Sequence, residues 1–135
     1  APHTFEEKSQ KYPNIPAGIP LVQHSLQMLL EFYFDDIFSL EMIVEKSSHN
    51  VAKRFNIKDR GFLREGYFAD ITCVDMDKSY TVNKENILHK CGWSPLENKT
   101  MRSSIYATIL NGNVAFKDGQ FSESLKFGHR LEFDY

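Results

Sequence analysis

Five histidines, two cysteines and a cluster of acidic side chains are the groups here that could hold a metal, move a proton or attack a substrate. His3 stands in Ala1-Pro2-His3, just ahead of Glu6-Glu7-Lys8, in a segment interrupted by Pro13, Pro16, Gly18 and Pro20. An imidazole on such a loop can donate a hydrogen bond to a carboxylate, and a solvated loop histidine is the plainer alternative. Ala17-Gly18 reads as a turn, and its small side chains would also let backbone approach a ligand closely. Glu6, Glu7 and Lys8 have the types for acid–base work with a counter-charge. Adjacent residues rarely converge on one atom, so they read as a solvated charge cluster. His24, His49 and His89 fit no zinc spacing such as His-x₃-His on one helix face, which leaves structural or solvated roles. His129 receives no role. Ser25, Cys91 and His24 form no nucleophile–base arrangement. Cys73 and Cys91 lack metal-ligand spacing; Cys73 reads as a buried thiol, and nothing demands a disulfide. Trp93 reads as a packing anchor because of the area an indole buries.

The elements that must position these groups change character along the chain. Residues 1 to 20 carry too many breakers for a regular element, and so long a structureless stretch is usually functional or disordered. From Leu21 to about Phe34 the residues Val22, Leu26, Leu29, Leu30 and Tyr33 recur at helical spacing. Asp35-Asp36 ends that helix. Ser39 is placed to cap a second one, in which Leu40, Ile43 and Val44 share a face, and Asn50 to cap a third through Phe55. After Gly61 the pattern turns β-like. Ile71-Thr72-Cys73-Val74 predicts a strand and Tyr80-Thr81-Val82 a shorter one, while Asn83 caps a helical turn through Leu88. Cys91 to Thr100 reads as a loop around Trp93 and Pro95. Ile105 to Leu110 and Val114 to Phe116 flank Asn111-Gly112, a type I′ hairpin signal because both central residues need positive φ. Lys117-Asp118-Gly119 predicts another turn. The tail residues Phe127, Leu131 and Phe133 are assigned no element. Helices followed by strands indicate an α+β chain or two separate pieces.

A chain of 135 residues with 41% hydrophobic and 25% charged residues is sized for one packed domain rather than for disorder. A net charge of -2 gives no electrostatic reason to expect nucleic acid or an anionic membrane surface. No apolar run approaches the roughly 20 residues of a membrane span, and no signal peptide is visible, so the cytoplasm is the expected location.

Three segments carry a family resemblance. The first is Ala1-Pro2-His3-Thr4-Phe5-Glu6-Glu7-Lys8 with Pro16-Ala17-Gly18-Ile19-Pro20, and the second is Ser48-His49-Asn50-Val51-Ala52-Lys53-Arg54-Phe55-Asn56-Ile57. The third joins Gly61 and Arg64-Glu65-Gly66-Tyr67-Phe68-Ala69-Asp70-Ile71-Thr72-Cys73-Val74-Asp75 to Lys90-Cys91-Gly92-Trp93-Ser94-Pro95. Together they resemble dihydroorotases of the metal-dependent amidohydrolase superfamily. The Gly-Tyr-Phe-Ala-Asp strand approach is shared across the superfamily. The Ala-Pro-His loop with Glu-Glu-Lys is narrower and favours dihydroorotase over allantoinase or hydantoinase. Val51, Leu96 and Asn98 depart from the family pattern; Asn98 can adopt the left-handed conformation at modest cost, so its loop should survive.

The resemblance implies the C-terminal end of a (β/α)8 barrel plus part of a β-sandwich. Residues 1-60 would provide the last active-site loop and terminal barrel helices, and residues 61-135 the C-terminal part of the sandwich. It assigns His3 to the substrate carboxylate and the backbone of Ala17 and Gly18 to the substrate ring. It implies zinc in the full-length protein, held by ligands preceding Ala1, with neither a metal ligand nor the proton-shuttling Asp within this chain. The chain alone is therefore expected to be inactive. The implied partners are a small-molecule substrate and the rest of the polypeptide; a homo-oligomer is compatible. A non-catalytic amidohydrolase-like module is the competing reading, because fold alone does not determine activity. Another cyclic-amide hydrolase is the alternative among enzymes.

Overall fold

The computed structural model describes residues 3–123 and 128–135, so Phe127 lies outside the described residues. The breaker-rich start does contain one regular element, the single-turn helix α1 at Phe5–Lys8. Thr4 makes it: the Thr4 hydroxyl accepts from the Glu7 N–H while the Glu7 carboxylate accepts from the Thr4 N–H. This reciprocal cap satisfies two donors that a helix start otherwise leaves open.

A 3₁₀ turn at Val22–His24 leads into α2 at Ser25–Phe34. The buried side of this segment carries His24, Gln27 and Leu30, whereas Val22 is 90% exposed. The expected apolar stripe is thus rotated toward polar side chains that have long-range partners. Gln27 Nε2 donates to the Ser103 carbonyl at 3.3 Å. Gln23 Nε2 donates to the Asn86 carbonyl, and Gln23 Oε1 accepts from the Leu88 N–H.

Ser39 caps α3 at Leu40–Val44 through the Met42 N–H, as its side chain predicts. Of the expected apolar face only Ile43 is buried; Leu40 and Val44 are exposed. The chain then continues through a π turn at Glu45–His49 into α4 at Asn50–Arg54. Asn50 does not start a new helix. Its backbone is helical, and its side chain donates to Glu45 instead.

Gly61 follows with φ near 81°, and a Cβ there would stand 2.5 Å from the Ala52 Cβ. Only glycine fits this turn against α4. Beyond it, β1 (Ile71–Asp75), β4 (Ser104–Leu110), β5 (Asn113–Lys117) and β6 (Gln120–Phe121) form an antiparallel sheet in the order β1-β4-β5-β6. A two-stranded ribbon pairs β2 (Tyr80–Thr81) with β3 (Thr100–Met101). Asn83 caps a 3₁₀ turn at Lys84–Asn86 that stops short of the expected Leu88. Asn111 and Gly112 both take positive φ, as a type I′ hairpin requires. Asn98 also takes positive φ, so its loop tolerates that departure from the family pattern. Buried Arg60 pairs with the Asp70 carboxylate and donates to Asn111 Oδ1, which ties the hairpin turn to the start of β1.

The core joins the helical and β-rich parts. Val82, Leu96 and Met101 are buried together, and Leu21, Met28, Tyr80 and Ile87 pack on them. On the outside, Arg102 donates to both the carboxylate and the carbonyl of Glu31 and to Asp35. Cys73 and Cys91 are both half-buried and outside any disulfide, so Cys73 is less deeply buried than expected.

Candidate functional site

The breaker-rich segment is a closed loop with two internal clasps. Lys8, at the end of α1, donates from Nζ to the Pro16 carbonyl at 2.5 Å and to the Gly18 carbonyl at 2.9 Å. Trp93, ninety residues downstream, donates from Nε1 to the His3 carbonyl at 2.8 Å. The indole also meets the Phe5 ring edge-on at 6.2 Å. The ends of the loop are therefore set by contacts that its own sequence does not announce.

Within it, His3 is half-buried, with Nδ1 3.6 Å from Glu7 Oε2. That is an ionic distance rather than a hydrogen bond. The Glu7 carboxyl is held below its ordinary value, first by the Thr4 backbone N–H, with smaller help from the Thr4 hydroxyl and His3. A carboxylate committed to a helix cap is a poor general base, so Glu7 is a capping residue. Lys8 departs from the solvated charge cluster expected of it. Ala17 and Gly18 are exposed, and Gly18 has φ near 91°. The structure thus pairs His3 with Glu7 and Gly18 with Lys8. Two cavities of about 400 and 430 Å³ lie elsewhere, and His3, Ala17 and Gly18 line neither.

The remaining histidines separate in character. His24 is 1% exposed, and neither of its ring nitrogens has a hydrogen-bond partner; the same holds for both nitrogens of His89. Burial, and secondarily the neighbouring His89, hold His24 below its ordinary pKa. His49 stacks on Phe62 at 4.3 Å, with Arg64 over the same Phe62 ring. His129 meets Phe68 edge-on. Neutral imidazoles are good metal ligands, but among the described residues no group of three or more His, Cys, Asp or Glu side chains could hold a metal ion. The described residues do not fit a catalytic zinc site.

Lys8 and Trp93 have roles in this loop beyond the charge cluster and the packing anchor expected of them. Trp93 is the sole tryptophan, which gave a packing signal. Nothing in the spacing connected it to His3. Lys8 follows two glutamates, and that pattern is indistinguishable from an ordinary charged surface.

No protein-family model matches the chain. An L-hydantoinase (dihydropyrimidinase) from Arthrobacter aurescens superposes with a TM-score of 0.78 at 26% identity, over 87% of this chain and 27% of that one. An allantoinase of Desulfitobacterium hafniense is 35% identical over 84% of this chain and 25% of its own length. These likenesses define the class as cyclic amidohydrolases. A dihydroorotase of Endomicrobium trichonymphae is 37% identical over 118 residues, which is 87% of this chain. Over most of its length the chain is similar in sequence to named dihydroorotases. It spans 28% of the length of that relative. Among the described residues no helix is long and apolar enough to cross a membrane.

Proposed function

We propose that this chain serves a dihydroorotase, an enzyme that reversibly cyclises N-carbamoyl-aspartate to dihydroorotate in pyrimidine biosynthesis. The observation that carries the reading is the 37% identity to a named dihydroorotase over most of the chain. In this reading His3 holds the substrate carboxylate, and the Ala17-Gly18 backbone lies against the ring. An N–H of the imidazole ring can donate to such a carboxylate. These groups position substrate and hold no metal. The family implies zinc chemistry, which this reading assigns to residues outside this chain. The same proposal assigns residues 1-60 to the last active-site loop and terminal helices of a barrel, and residues 61-135 to a β-sandwich. It takes the whole enzyme as cytoplasmic.

A cyclic-amide hydrolase of allantoinase or hydantoinase type is the second reading, favoured by the 35% identity to an allantoinase. Kinetics of the enzyme that carries this chain decide between them. With dihydroorotate, allantoin, hydantoin and dihydrouracil as alternatives, dihydroorotate should give the highest kcat/KM. Preference for any other ring would overturn the dihydroorotase reading.

A further inference from the structure

Two side-chain donors hold the loop that the proposed function relies on, and both act on its backbone carbonyls. The Lys8 ammonium bridges the carbonyls of Pro16 and Gly18, at 2.5 and 2.9 Å, from the end of a helical turn whose first residue is only two beyond His3. The indole N–H of Trp93 holds the His3 carbonyl at 2.8 Å from a loop in the β-rich part. Between them, the two contacts define where the His3 backbone and the 16–18 backbone sit relative to α1. We infer that Lys8 and Trp93 are positioning residues for substrate binding, with Lys8 setting the Ala17–Gly18 backbone and Trp93 setting His3. The inference rests on the reading of this loop as the substrate-contacting one.

The physical argument concerns both charge and geometry. A hydrogen bond from a charged donor is worth roughly twice a neutral one, so an ammonium shared by two carbonyls is a strong closure for a loop containing Pro13, Pro16 and the positive-φ Gly18. Lys8 is partly buried, which limits competition from water. The ammonium engages the Pro16 and Gly18 carbonyls, which flank Ala17. Removing the ammonium leaves two carbonyls without their charged partner, and the segment between them loses its fixed path. At the other end, α1 is a single turn with no buried residue of its own. Its placement therefore depends on the Trp93 contacts to His3 and Phe5. Groups that act on a substrate through backbone must be held within about half an ångström of the productive geometry. Positioning should accordingly appear in KM before it appears in metal content or overall stability.

The test uses the enzyme that carries this chain, with Lys8→Met, Lys8→Arg, Trp93→Phe and His3→Ala. Each variant is measured for dihydroorotate kinetics, metal content, melting temperature and amide hydrogen exchange of residues 3–20. The expected result for Lys8→Met is a KM raised about 10-fold, in line with the loss of a charge-assisted hydrogen bond, with kcat within about 2-fold. Trp93→Phe, which keeps a ring and loses the donor, should raise KM about 3-fold by the smaller loss of a neutral bond. In both, exchange should accelerate within residues 3–20 only, with metal content and melting temperature unchanged. Lys8→Arg, which retains donors and charge, should recover most of the loss. The inference is overturned if Lys8→Met leaves KM unchanged while His3→Ala raises it. A melting temperature and kcat that fall together at constant KM also overturn it, because that is the signature of a merely structural residue. If His3→Ala also leaves KM unmoved, the substrate reading of the loop is what fails. The exchange of residues 3–20 then still reports on the clasps, and unchanged exchange in Lys8→Met and Trp93→Phe overturns them as well.

Discussion

The accessible surface of the chain is 9934 Å², whereas a compact monomer of its 15.7 kDa should expose only about 7,300 Å². The excess, on the order of 2,600 Å², exceeds the ~800 Å² that each partner commits to a standard stable interface. Much of it is apolar: Val22 is 90% exposed, Leu63 77% and Phe55 59%, in the company of Phe5, Ile37 and Phe121. Each such side chain is worth about 1.5–3 kcal/mol when fully buried, so the isolated chain has a strong drive to cover this surface. Among the described residues β1 is an edge strand of the sheet, which adds to the same drive. The perturbation is a triple substitution, Val22→Ser, Phe55→Ser and Leu63→Ser. Val22 and Leu63 bury little in the monomer, so each of those changes should alter folding stability by no more than about 0.5 kcal/mol, and the half-exposed Phe55 by about 1 kcal/mol. Their removal should nevertheless lower self-association and dye binding markedly. Light scattering, sedimentation velocity and hydrophobic-dye fluorescence on the 135-residue chain provide the assay. A monodisperse unsubstituted monomer with a cooperative melt and little dye binding would refute the reasoning. So would a triple variant that associates as strongly as its parent.

Three further outcomes follow from other parts of the structure. His24 is buried with a folded pKa below its ordinary value, so the unfolded chain binds the proton first as pH falls. Stability should be full above about pH 6.5 and decline below it, at no more than about 1.4 kcal/mol per pH unit for this one group; His24→Leu should flatten the acid limb in urea titrations, and an unchanged slope would exclude His24 as its source. Gly61→Ala should cost about 2–4 kcal/mol by denaturant melts, since it combines a positive φ with a Cβ overlapping that of Ala52, and Ala52→Gly should recover the steric part alone. Under the proposed function, His3→Ala in the enzyme that carries this chain should raise KM for dihydroorotate by roughly 10- to 100-fold with metal content intact, a loss of about 1.5–3 kcal/mol; loss of metal would show that His3 has a different role.

Features governed by neighbouring backbone were legible in the residues themselves. Ser39 and Asn83 cap where their side chains predict, because a short polar side chain reaches an N–H only three residues away. Asn111-Gly112 turns the hairpin because those two residues tolerate positive φ at little cost. The β1 strand lies where its β-branched residues stand. The family likeness, too, could be read from ordered motifs without coordinates. The tertiary structure decided which faces are buried and which loop ends are held. Periodicity marked Val22 as an inward residue, but the contacts of Gln23 and Gln27 with Asn86, Leu88 and Ser103 turn the segment so that His24 and Gln27 face in. Asn50 looked like a cap, yet the π turn before it carries the helix straight through. Lys8 looked like surface charge, whereas it holds two backbone carbonyls of the candidate loop, and Trp93, read as a packing anchor, also holds the His3 carbonyl. A cap or a turn depends on a few dihedral angles within one stretch of backbone. A contact across ninety residues depends on how the whole chain has packed, and no local pattern of residue types encodes it.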